Sequence, residues 1–267
     1  MLSPDDLRKY TDLLRRDVFR TTTRWPQFEL LLSNLNELAA ATPAGAHVVS
    51  VERNRLYGGR SLLRPIFQHC RFTSIDMTPK HNSARGAYNE ALVKEIGAEF
   101  GETIFECVAK FEDLSSSNLL APPSDVDVLL IPNLLHHIGC LPKFFSYIGS
   151  MLHDRTSGYL FDSTLREWHQ IPDDYYRLTP WALKNELRSV NCHVTRTDTV
   201  GGPFDAIQYC WEQALEYLPE VERDQWREWL DNEHRPKLNE LAERYPNNLV
   251  RQHSQFPSAY SIFFEKQ

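Results

Sequence analysis

No stretch of the chain approaches the roughly 18 consecutive apolar residues that a membrane-spanning helix requires. The start, Met1-Leu2-Ser3-Pro4-Asp5-Asp6, has no basic segment leading into an apolar run. It does not read as a secretory leader, which predicts a cytoplasmic protein. Basic runs are missing too: 29 Lys and Arg stand against 36 Asp and Glu, for a net charge of -7. A nucleic-acid or anionic-membrane surface normally shows as a basic patch, so neither partner is expected. The five cysteines (Cys70, Cys107, Cys140, Cys192 and Cys210) never form a CxxC pair. Odd in number and scattered, they argue against a disulfide framework or a zinc site. Internal repeats and low-complexity segments are absent as well. What remains is a chain of 267 residues, 42% hydrophobic and 24% charged, ample for one sizeable core and marginal for two.

Hydrophobic periodicity fills that length with alternating elements. Residues 4 to 40 read as helical. Asp5 or Asp6 is the expected cap of a first helix, and Phe28, Leu31, Leu32, Leu35 and Leu38 mark a second over 26–41. Strands are predicted at His47–Glu52, Arg71–Asp76, near Thr103–Val108, at Val126–Ile131 and at Tyr159–Ser163. The fourth is a continuous apolar run, as suits a strand covered on both faces. Helices are expected around Arg60–His69, Ala87–Phe100 and Pro142–Leu152. Thr179-Pro180 opens another, through Trp181, Leu183, Leu187 and Val190. A strand over Cys192–Thr199, two or three amphipathic helices within 204–245, and a final strand at Ser258–Phe264 complete the reading. Such alternation predicts βαβ units and a mostly parallel sheet with helices on both faces. Ligands of such sheets sit beyond the carboxyl ends of the strands, so the residues that follow each strand are the ones to inspect.

The first strand ends at Glu52, and Gly58-Gly59 follow before a helix; the second ends at Asp76, with Met77 after it. A glycine loop opening a helix lets backbone N–H groups approach a polar ligand, and a following acid suits ribose hydroxyls. The alternative for Asp76 is a helix cap or turn former.

From here the order of segments resembles a family. Phe111-Glu112-Asp113-Leu114 follows the third strand, and the fourth runs through Pro132-Asn133-Leu134-Leu135-His136-His137-Ile138. Tyr176-Arg177-Leu178-Thr179-Pro180 then leads into a helix. The chain resembles the class I S-adenosylmethionine-dependent methyltransferases of the small-molecule kind, over about residues 45 to 202 and again at the last strand. The resemblance implies a Rossmann-like methyltransferase sheet, mostly parallel with an antiparallel final strand. It implies S-adenosylmethionine as cofactor, S-adenosylhomocysteine as product, and methyl transfer to an O or N atom of a small-molecule acceptor. Glu52 would lie near the methionine moiety's amino end, and Asn54, Gly58 and Gly59 would form the loop. Asp76 would bind the ribose with Met77 beside it, and Glu112 and Asp113 would lie near the adenine. Asn133 and Leu134 would line the cleft beside the sulfonium, with His136 and His137 at its rim.

The family's loop reads acid-x-Gly-x-Gly-x-Gly, whereas this chain has Glu52-Arg53-Asn54-Arg55-Leu56-Tyr57-Gly58-Gly59. Ungapped, Asn54 and Leu56 take the places of the first two glycines; a shifted alignment puts Gly58-Gly59 on the helix-opening pair. Asn tolerates left-handed backbone and Leu does not. Lys110 likewise stands where an acid often meets the adenine amino group. A methyltransferase-like protein without methyl transfer, serving as a binding module, partner subunit or other catalyst, is therefore the alternative; a nicotinamide enzyme, lacking an intact G-x-G-x-x-G, ranks third.

His136 and His137 are the candidate catalytic residues, since a neutral imidazole suits removal of a proton from the acceptor. The competing reading is that they pack or cap a backbone carbonyl. His136, His137, Asp162 and His169 could be assembled into a metal site, but their spacing does not require one, and no metal is expected. Trp211, Trp226 and Trp229 are expected either to bury the inner faces of their helices or to cover the acceptor. The organisation predicted is a single domain over 1–267: a helical cap (1–43), the core (44–202), a helical insertion as candidate substrate cover (203–256) and the final strand (257–267). A homo-oligomer stays open.

Overall fold

The computed structural model describes residues 2–17, 25–52, 65–77, 106–110, 123, 125–168, 171–245 and 256–267. Helices α1 (Pro4–Asp17) and α2 (Trp25–Ala41) precede β1 (His47–Glu52), β2 (Arg71–Asp76), β3 (Glu106–Lys110) and β4 (Val128–Pro132). A 3₁₀ turn at Leu135–His137 leads to α3 (Leu141–Gly149), β5 (Ser157–Ser163), α4 (Pro180–Ser189) and β6 (Cys192–Val200). Helices α5 (Pro203–Leu215), α6 (Glu220–Trp229) and α7 (Arg235–Arg244) follow, the last two joined by a π-helical stretch at Leu230–His234, before β7 (Ala259–Lys266).

The seven strands form one sheet in the order β3-β2-β1-β4-β5-β7-β6. Strands β1 to β5 pair in parallel, and β7 runs antiparallel to both β5 and β6. This is the mostly parallel sheet that the alternation of elements predicts, with the antiparallel final strand that the resemblance implies. Every residue of β1 and of β4 is buried, as expected of central strands covered on both sides. Side chains alternate across the sheet. Val48, Val128, Leu130, Tyr159 and Phe161 meet Leu31 and Leu35 of α2 on one face. Val49, Val51, Leu129, Ile131 and Leu160 meet Phe144 of α3 and Leu183 of α4 on the other. Two apolar layers sandwich the sheet, so helices cover both faces.

Several boundaries shift for local reasons. Ser3 rather than Asp5 or Asp6 caps α1, because its Oγ accepts from the Asp6 N–H (3.1 Å) and donates to the Asp6 carboxylate (2.6 Å). The fourth strand begins at Val128. The Val126 carbonyl accepts from the Thr156 hydroxyl, and the Asp127 carboxylate from the His47 N–H. Residues 65–69 form turns rather than the end of a helix. α4 starts at Thr179-Pro180 as its sequence predicts, and Thr179 caps it by accepting from the Ala182 N–H (3.4 Å). Trp181, counted among the apolar positions of that helix, stands 67% exposed with Lys184 over its ring. The helix expected over Ala87–Phe100 lies outside the described residues.

Candidate functional site

Strands β1, β2, β4 and β5 are parallel neighbours, so their carboxyl ends lie on one side of the sheet. After β1 the chain builds β2 and β3 outward, then returns to β4 on the other flank of β1. That reversal between β1 and β4 is the topological switch point, where open α/β sheets bind ligands.

Glu52 ends β1 here and is fully buried. The Ser74 hydroxyl donates to its Oε1 at 2.5 Å, and its backbone carbonyl accepts from the Met77 N–H at 2.7 Å. Asp76 closes β2 directly across the ladder from Glu52. The sheet thus brings both sequence-predicted acids to adjacent strand ends. Met77 is buried beside them. Across the switch point Asn133 follows β4 with a left-handed backbone, φ 51°, and its N–H donates to the Phe161 carbonyl (2.7 Å). Among the described residues its buried side-chain Oδ1 has no hydrogen-bond partner, which is uncommon for a polar atom taken out of water. Leu134 is fully buried in the core. Asn54, Gly58, Gly59, Glu112, Asp113 and His169 lie outside the described residues.

The two histidines occupy the 3₁₀ turn but have different surroundings. His136 is 2% exposed, and its Nδ1 lies 2.7 Å from Oδ1 of Asp162, itself 2% exposed. His137 is half-buried and directs Nδ1 to the Asp173 backbone carbonyl at 2.5 Å. A carbonyl only accepts, so His137 carries its neutral-state proton on Nδ1 and its lone pair on Nε2. The ring centroids are 4.0 Å apart. Among the described residues no group of three His, Cys, Asp or Glu is placed to hold a metal ion.

A loop after β5 frames this turn. The Arg177 guanidinium donates to both oxygens of Asp174 (2.6 and 2.9 Å) and to the backbone carbonyls of Arg166 and Glu167. Asp174 holds the Arg177 pKa above its ordinary value, against the opposing effect of burial. The Tyr175 N–H donates to the His136 carbonyl (2.7 Å), and the Tyr176 hydroxyl to the Gly139 carbonyl (3.2 Å). Helix α5 reaches the same loop, where the Tyr209 hydroxyl donates to the Glu167 carboxylate. From the other side the Ser163 hydroxyl donates to Oε1 of Gln27 in α2 (3.0 Å). Tyr260 is paired with Asp162 in the β5–β7 register. Burial first and the Asp162 charge second push its phenol upward in pKa.

Asp162, Asp173 and Gln27 are the site-edge residues that sequence reasoning gave no role of this kind. Only Asp162 carried a signal, since it stands near the end of a predicted strand as Asp76 does. The three tryptophans fit the inner-face expectation poorly. Trp226 and Trp229 are 42% and 36% exposed, and α6 buries none of its side chains. They cluster with Trp211 and His234 instead: Trp211 stacks on Trp226, and His234 on Trp229.

No protein-family model matches the chain, and no curated protein matches it. Solved structures do. One is the O-methyltransferase of a trans-AT PKS multienzyme from Brevibacillus brevis, in complex with S-adenosyl-L-homocysteine. The match has 13% identity and a TM-score of 0.44, covering 83% of this chain and 66% of that one. A second is phosphoethanolamine N-methyltransferase 2 of Haemonchus contortus, at 13% identity and TM-score 0.45, over 100% of this chain and 60% of that one. The cyclase SpnF matches at 14% identity and TM-score 0.49, over 99% of this chain and 96% of its own. This chain thus spans under two thirds of the length of the first two. Likeness at this level adds nothing to the strand order, on which the fold assignment rests. That order, with its switch point between β1 and β4 and its antiparallel β7, makes the sheet Rossmann-like.

Proposed function

We propose that the chain binds S-adenosylmethionine at the β1–β4 switch point and transfers its methyl group to an O or N atom of a small metabolite. The observation that carries this reading is Asn133. Among the described residues its buried Oδ1 lacks a partner beside the acids that end β1 and β2, and an ammonium donor of a methionine moiety would satisfy it. Asp76 would hold the ribose hydroxyls, and Glu52 the methionine side of the cleft. Met77, Asn54, Gly58, Gly59, Glu112 and Asp113 complete the proposed cofactor contacts, with Leu134 backing the cleft.

The cofactor supplies an electrophilic methyl group when bound. The chain's own task is then to align the acceptor and take up its proton. His137 suits that role better than His136. Its Nδ1–H is fixed by the Asp173 carbonyl, which leaves Nε2 as the base, and it is half-buried where His136 is almost fully enclosed. Residues 203–256 would cover the acceptor: β6 ends on the same side as β5, and α5 touches the loop after β5 through Tyr209.

Titration with S-adenosylhomocysteine tests the reading. A ligand that binds only the folded state raises stability by about 2.7 kcal/mol at a concentration of 100 Kd, read as a higher Tm. Asp76→Ala is expected to weaken that binding at least tenfold (~1.4 kcal/mol). A folded protein with no Tm shift at millimolar ligand would overturn it. A second reading, a methyltransferase-like protein without methyl transfer, is favoured by Asn54 and Leu56 in the glycine positions. Cofactor binding with no methyl transfer to any of a broad acceptor set would select it.

A further inference from the structure

We propose that Asp162 is a positioning residue for the histidine pair: it fixes the proton of His136 on Nδ1 and locks the turn that carries His137. The inference rests on the reading of His137 as proton acceptor. It begins with the turn itself. A 3₁₀ turn starts with orphan N–H groups, and Leu134, which precedes this one, offers no side-chain cap. The acceptor comes instead from the next strand, where Oδ2 of Asp162 takes the His136 N–H at 3.2 Å.

The same carboxylate is buried and must be compensated. Oδ1 accepts from the Ser163 N–H at 2.8 Å and lies 2.7 Å from Nδ1 of His136. Both oxygens thus already accept from backbone N–H groups, which can only donate. A third donor, the His136 Nδ1–H, completes the set. A hydrogen bond at one ring nitrogen decides which nitrogen carries the proton. Asp162 thereby sets the state of His136, whose ring lies 4.0 Å from that of His137. The Tyr175 N–H bond to the His136 carbonyl ties the loop bearing Asp173 to the same residue. The two hydrogen bonds that orient the pair, Asp162 to His136 and Asp173 to His137, are joined through one turn.

Nitrogen-15 NMR of histidine-labelled full-length protein reads this directly, with His136→Gln and His137→Gln assigning the signals. In the unaltered chain Nδ1 of His136 should carry a proton at every pH at which the protein is folded. Asp162→Asn places an NH₂ donor against N–H donors. It should abolish the fixed Nδ1–H signal of His136 and displace the titration curve of His137. A purely structural Asp162 would leave both signatures unmoved in a folded variant, and that result overturns the proposal. Should the variant not fold, the unaltered chain still decides, because a neutral His136 with its proton on Nε2 contradicts the proposal outright. S-adenosylhomocysteine titration of the same samples separates the two failures, since it reports on the cofactor reading and not on the tautomer.

Discussion

Asn133 shows how much one position can be asked to do. Its left-handed backbone turns the chain out of β4 and toward the histidines, and its N–H is tied to the Phe161 carbonyl. Asn enters this region more readily than most residues, and a β-branched side chain pays about 1–2 kcal/mol to do so. Asn133→Gly should therefore retain the stability of the parent within about 0.5 kcal/mol, whereas Asn133→Val should lose about 1–2 kcal/mol or more, measured by urea unfolding. If the Oδ1 serves the cofactor, both variants should also weaken S-adenosylhomocysteine binding. The histidines teach a related lesson. Their residue types are plain in the sequence, but their partners, Asp162 from β5 and a carbonyl at Asp173, are 26 and 36 positions away. Periodicity cannot reveal such distant contacts.

Elements were legible where burial is two-sided and opaque where it is not. β1 falls at the predicted residues because a central parallel strand is a short, largely apolar segment buried on both faces, and β2 falls at its predicted residues as well. The helices after β6 gave a misleading signal, since their tryptophans have helical spacing yet gather against one another near the surface. Between elements, complementarity is tight at Gly158, paired with Phe264 across the antiparallel β5–β7 ladder. A Cβ added there would come within 2.1 Å of the buried Phe264 ring. Gly158→Ala should cost about 1–3 kcal/mol through overpacking, and a Tm unchanged within error would show that the β7 ring can move aside. Gly158 reads in the sequence only as half of a turn signal, because its real constraint is a side chain more than 100 residues later.

At the scale of the molecule, the apolar layers on the two faces of the sheet enclose several phenols. Burial raises the pKa of Tyr10, Tyr159 and Tyr260, and pushes Tyr147 up to about 12. A folded-state pKa above the unfolded value near 10 means that the unfolded chain releases its protons first as pH rises. The associated stability is present below pH ~10 and is lost above it, on the order of 1 kcal/mol per buried tyrosine per pH unit. Urea midpoints should fall steeply between pH 9.5 and about 11. Absorbance at 295 nm should show these phenols ionising only with unfolding. A smooth titration of all 11 tyrosines near pH 10 would contradict the packing described.

The sequence alone determined the class of fold, because strand burial and helix amphipathicity are local patterns and their alternation dictates a mostly parallel sheet. It also marked Glu52 and Asp76, each as the last residue of a predicted strand, and, through the family resemblance, Asn133 and the histidine pair. Only the tertiary structure decided what those residues meet. Strand order set Glu52 against Asp76 and brought Asn133 to the switch point. It also set Asp162 beneath the 3₁₀ turn. Such neighbours are fixed by sheet register and loop closure, which join residues far apart in the chain and leave no periodic trace within any one segment.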